Sequence, residues 1–98
     1  MDLQQLRKIA APTCREFEVR RLSVFGSVAR GDDAPDSDID FLVELDRPEI
    51  RPSKRFFGLL HYLEDHLGRP VDLLTANSLR NPYLEQSISR DLVPIYER

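Results

Sequence analysis

Two aspartates, Asp38 and Asp40, open the apolar run DIDFLVEL, and a third, Asp72, stands inside a second apolar run, PVDLLT. A carboxylate is costly to carry into a strand unless something neutralises it. Asp38 and Asp40 are two residues apart, so on a strand their side chains share one face at roughly 6–7 Å spacing. Ile39 and Phe41 then point the other way, into a core. A divalent cation would relieve the repulsion. Mg²⁺ suits such a set, because it takes a few carboxylates and keeps positions for water and phosphate oxygens. If the two runs pair as strands, Asp72 joins the cluster as a shared metal ligand or as a base. The alternative for Asp72 is an ion pair with nearby Arg69.

Gly26-Ser27 is separated from Asp38 by ten intervening residues. Glycine lets a phosphate approach the main chain closely, serine adds a hydroxyl, and adjacent amides at a helix start favour an anion. Alone, Asp-x-Asp reads as two solvated residues and Gly-Ser as an ordinary turn. Together with Asp72 they describe phosphoryl or nucleotidyl transfer, in which metal ions hold a triphosphate and stabilise an in-line transition state.

The elements that must position these residues follow from patterning. Asp2 caps a first helix with Leu3, Leu6, Ile9 and Ala10 as its stripe, bent or broken near Ala11 because Pro12 follows. Val19 to Phe25 alternates as a strand, with Leu22 and Val24 on one face and Arg21, Ser23 and Phe25 on the other. One helical turn at Ser27 to Arg30 and a loop lead to a strand over Asp38 to Leu45. Ser53 caps a helix over Lys54 to Leu67, which Gly68 ends. Pro70 to Thr75 is a third strand, and Asn81-Pro82 opens a helix to about Arg90. The tail LVPIYE is extended, and Pro94 confines it to an edge. This order predicts one α/β (α+β) domain over residues 1–98, a small mixed sheet flanked by helices.

Composition narrows the function classes. The chain has 98 residues, 41% of them hydrophobic, which suits one modest core. Its net charge is −3 and it carries no basic stripe, which disfavours nucleic acid as the main ligand. The single Cys14 rules out a disulfide within the chain and fits a reducing cytoplasm. The N-terminus lacks an apolar signal core and no run reaches membrane-spanning length, so a soluble, cytoplasmic protein is expected.

The spaced set Gly26-Ser27, Asp38-x-Asp40 and Asp72, within FGSVARGDDAPDSDIDFLVEL and LEDHLGRPVDLLT, resembles the nucleotidyltransferase superfamily with the DNA polymerase β-type catalytic fold. The likeness runs from about Leu3 to Ile95 and is closest to the minimal, stand-alone branch called MNT. It implies the nucleotidyltransferase fold, ATP as substrate, two Mg²⁺ ions and release of pyrophosphate. It implies that Asp38, Asp40 and Asp72 are the catalytic and metal-binding carboxylates and that Gly26 and Ser27 hold the triphosphate. Arg30 would lie near the phosphates or brace the loop. Ser37 would steady the loop, touch phosphate or act as a plain cap. The resemblance further implies the antitoxin of a HEPN/MNT toxin–antitoxin pair, moving AMP onto a tyrosine hydroxyl of a HEPN toxin. The alternatives are a non-catalytic module that neutralises a partner by covering it, or transfer to a small molecule or an RNA end.

The remaining polar and aromatic residues have plainer expectations. Asp32, Asp33 and Asp36 are solvated loop residues, and Arg20-Arg21 and Lys54-Arg55 are solvated surface pairs. His61 and His66 are surface groups, and Cys14 is a small semi-buried residue. Tyr62, Tyr83 and Tyr96 belong to the edge of the core, and Phe57, off the main helical stripe, marks a candidate partner contact.

Overall fold

The computed structural model describes residues 1–76 and 81–98. The elements run α1 (Leu3–Glu16), β1 (Val19–Phe25), α2 (Gly26–Arg30), β2 (Ile39–Leu45), α3 (Pro52–Leu67), β3 (Val71–Thr75), α4 (Pro82–Asp91) and β4 (Val93–Glu97). The strands form a four-stranded mixed sheet in the order β3-β2-β1-β4. β1 runs antiparallel to both β2 and β4, while β2 and β3 are parallel. The parallel pair requires the crossover that α3 supplies. Among the described residues, no helix is long and apolar enough to cross a membrane.

Register divides the sheet into two faces. Val24 pairs with Phe41, Leu22 with Val43, Ile39 with Val71 and Phe41 with Leu73. These residues pack with Leu6, Ala10 and Cys14 of α1 and Leu59 and Leu63 of α3 in one apolar cluster. The other face carries the alternate positions, among them Asp40 opposite Asp72 and Leu42 opposite Leu74. Ser23, expected on the polar side of β1, is nevertheless buried, and α4 packs against that strand. Burial of the thiol in the core pushes Cys14 up to about 12, which keeps it an inert packing residue.

Three sequence expectations about elements need correction. α1 runs continuously across Pro12, so of the two expectations, bent or broken, the break does not occur. Pro12 and Lys8, whose carbonyl loses the bond that proline cannot donate, are both exposed, so water can satisfy that group. α3 begins at Pro52, not Lys54, and its cap is Arg51 in the left-handed region without a side-chain cap bond. Ser53 lies inside the first turn, because proline is pre-set for the first helical position. Arg55 is not a surface residue: it is 7% exposed. Its guanidinium donates to the carbonyls of Phe17, Glu18, Asp46, Arg47 and Ile50, tying the α1–β1 turn to the loop before α3.

Candidate active site

The site grows from the end of β1 and the starts of β2 and β3. The parallel register sets Asp40 beside Asp72, and the antiparallel register sets Asp40 beside Phe25, the residue before Gly26. Neighbouring strands lie roughly 4.8 Å apart, so side chains at paired positions are direct neighbours. Asp38 precedes Asp40 by two positions, at the exposed mouth of β2. The sheet thus sets Asp72 beside Asp40, which the sequence separates by 32 positions, with Asp38 two residues before Asp40.

Gly26 is needed where it stands. Its φ is +73°, and a Cβ there would overlap Asp40 Oδ2. The main chain at the head of α2 therefore lies directly against one of the carboxylates, a closeness that only glycine allows. Ser27 follows in the same five-residue helix, whose first amides have no partner within the helix. Gly31, at φ +80°, ends it.

Electrostatics single out Asp40. Partial burial raises its pKa first, the charges of Asp72 and Asp38 raise it further, and Arg30 pulls weakly the other way. The three carboxylates therefore share one field. Among the described residues, no three His, Cys, Asp or Glu side chains converge as a ready-made metal cage. The donor set still fits Mg²⁺, which is commonly held by one or two carboxylates together with waters and substrate phosphates. A cleft of about 700 Å³ lies at the other end of β2, lined by Arg21, Glu44, Thr75 and Ala76 among others, with none of the three aspartates in its lining. At the carboxylate site Asp38 and Asp72 are exposed and Asp40 is partly buried.

Arg30 and Ser37 are held by the protein itself. Arg30 pairs with Asp91 of α4 at 2.9 Å and with Asp32 at 3.3 Å. Ser37 Oγ donates to Ala34 O at 2.8 Å and accepts from Arg69 at 3.0 Å. Asp33 departs from expectation: its side chain is 4% exposed, paired with Arg69 at 3.0 Å and with the terminal amine at 3.2 Å. The Arg69 guanidinium, then the amine, hold its pKa below the usual carboxylate value. Asp32 and Asp36 are exposed, as are His61 and His66. Arg69 is not available to pair with Asp72, because the loop has claimed it.

A family match decides the class: the Nucleotidyltransferase domain family aligns with residues 6–95. The chain belongs to the nucleotidyltransferase family. It is a transferase of the minimal branch. It is 40% identical over 97 residues to the protein adenylyltransferase MntA of Thermococcus cleftensis, covering 95% of each chain. A solved structure, provisionally identified as a minimal nucleotidyltransferase, superposes with a TM-score of 0.78 at 35% identity, covering 96% of each chain. A Shewanella oneidensis complex of a tri-AMPylated HEPN toxin with its MNT antitoxin shares the fold, with a TM-score of 0.62 at 20% identity. That match covers 99% of this chain and 74% of the other.

Proposed function

We propose that this transferase moves AMP from ATP to a hydroxyl, a tyrosine by preference, of a HEPN toxin, and so acts as the antitoxin of a pair. The observation that carries the reading is the Asp40–Asp72 register with Asp38 on the same strand end, set against the Gly26 turn. The acceptor follows the name of the Thermococcus cleftensis relative and the AMPylated state of the Shewanella oneidensis toxin.

Asp38, Asp40 and Asp72 would hold magnesium. Bound there, Mg²⁺ supplies positive charge to the triphosphate and lowers the pKa of the attacking hydroxyl. Gly26 lets the phosphates reach the main chain, and Ser27 offers them a hydroxyl. The acceptor oxygen bonds to the α-phosphorus as the bond to the β-phosphate oxygen breaks, and pyrophosphate leaves. Asp72 takes the acceptor proton, a role supported by its exposure beside the more enclosed Asp40. The uncompensated repulsion at Asp40 supports a site that gains stability when cation and nucleotide arrive together.

The test is label transfer from ATP to a co-purified HEPN-type partner with Mg²⁺, comparing the native chain with Asp38→Asn plus Asp40→Asn. Transfer by the native chain and none by the double variant is expected. Full neutralisation of the partner by the double variant, with no transfer by the native chain, would replace the enzyme with a binding module.

A further inference from the structure

Arg69 is unusual in where its hydrogen bonds go. It lies between Gly68, which ends α3 in the left-handed region, and Pro70, which precedes β3. Its Nε donates to Ser37 O at 3.0 Å, and its Nη2 donates to Ser37 O, Ala34 O and Ser37 Oγ at 2.9, 3.0 and 3.0 Å. Its Nη1 donates to Asp33 at 3.0 Å. The Arg69 side chain is 10% exposed and that of Asp33 is 4% exposed. One planar fork thus fixes a loop from residue 33 to residue 37, at its two ends and at Ala34.

That loop joins the Gly26–Arg30 turn to Asp38. It has no regular structure of its own, so ordering it costs backbone entropy that its contacts must offset. Arg69 also stands three positions before Asp72, and the neighbouring Pro70 carbonyl accepts from Ile39 N at 3.0 Å. The residue that orders the approach to Asp38 is therefore anchored to the strand that carries Asp72. We infer that Arg69 is a positioning residue of the transfer site, setting where Asp38 stands relative to Asp72 through the loop it clamps. This rests on the three aspartates being the metal-holding set. The role requires a planar fork with several fixed donors, and lysine offers charge without that geometry.

The experiment compares the native chain with Arg69→Ala and Arg69→Lys, with Arg55→Met as a variant that loosens the fold elsewhere. The first readout, without metal or nucleotide, is hydrogen exchange at the Ser37 and Ile39 amides, which bond to Ala34 O and Pro70 O. The second is the Mg²⁺ concentration giving half-maximal transfer, read separately from kcat. Both Arg69 variants should exchange faster at these two amides and need about tenfold or more extra Mg²⁺, the usual scale for groups that orient metal ligands. Arg55→Met should lower the melting midpoint yet leave the Mg²⁺ requirement near native. Native exchange at Ser37 and Ile39 in Arg69→Ala, or full rescue of both readouts by lysine, would overturn the inference. Should Arg69→Ala fail to fold, Arg69→Lys alone decides it, since a simple charge role predicts rescue. A native chain that transfers nothing would sink the function proposed above, while the exchange comparison would still decide whether the clamp exists.

Discussion

Asp33 and Asp40 occupy one short segment and meet opposite fates. Asp33 is nearly sealed from water, yet two cations hold it ionised and its pKa falls. Asp40 is half-buried among carboxylates, and its pKa rises. Burial disfavours the charge at both and is the first cause at Asp40; at Asp33 the paired cations outweigh it. The charge that organises the loop is neutralised from within the chain. The charges at the strand mouths are left in mutual repulsion, as expected where the neutralising cation arrives with the substrate.

Asp40→Asn tests this division most severely. Transfer should fall by roughly 10³-fold, since a group acting on transition-state charge is lost. The same variant should melt at a higher temperature than the native chain without metal, because a strained charge has been removed. A fall in both activity and melting midpoint would make Asp40 a structural residue like Asp33.

Arg55 probes the opposite end of the sheet. Replacing it with methionine removes its bonds to five main-chain carbonyls, of which Glu18 O and Arg47 O keep a bond from Asp46 N and Ile50 N. Stability should drop by about 3 kcal/mol in denaturant titration, a large part of what a small domain has. The folded fraction should transfer nucleotide at the native rate. A changed Mg²⁺ requirement would show that the two ends are coupled, and the contrast between scaffold charges and site charges would fail.

Gly26→Ala sits between these cases. The added methyl meets a movable carboxylate, not rigid main chain, and places alanine at φ +73°. Stability should fall by about 1–2 kcal/mol. Transfer should fall by about 10²-fold, the scale of a misplaced reacting group. A variant that loses stability alone would show that the glycine serves only the turn.

Local rules carried much of this site into view. β1 was legible because Leu22 and Val24 alternate with polar neighbours, and α4 because Asn81 accepts from Tyr83 N and Pro82 starts the helix. The aspartate pair and the glycine-serine turn are local as well. Asp72 could be tied to them only conditionally, because strand pairing is a fact of topology. Arg55 and Asp33 look like surface residues in the sequence for a related reason. Arg55 binds main-chain carbonyls, which leave no side-chain signature, and Asp33 meets an arginine 36 positions away. The unbroken α1 was hidden because proline's cost depends on which side of the helix faces water.

The smallest expected effect is also the one that measures the Asp33–Asp40 contrast directly. Asp33 has a folded pKa below its ordinary value of 3.8, so its stabilisation is present above that value and is lost as pH falls through the folded pKa. Asp40 has a folded pKa above 3.8, so the folded chain binds the proton more tightly than the unfolded one. Its contribution therefore falls as pH rises from 3.8 to the folded pKa, and is constant beyond it. Melting midpoints measured without metal across the acid range should separate the two. Asp33→Asn should flatten the acid limb below 3.8 and lower the midpoint at neutral pH. Asp40→Asn should instead remove the decline just above 3.8. If both variants track the native curve, the two carboxylates are electrostatically alike, and the division between scaffold charge and site charge has no thermodynamic content.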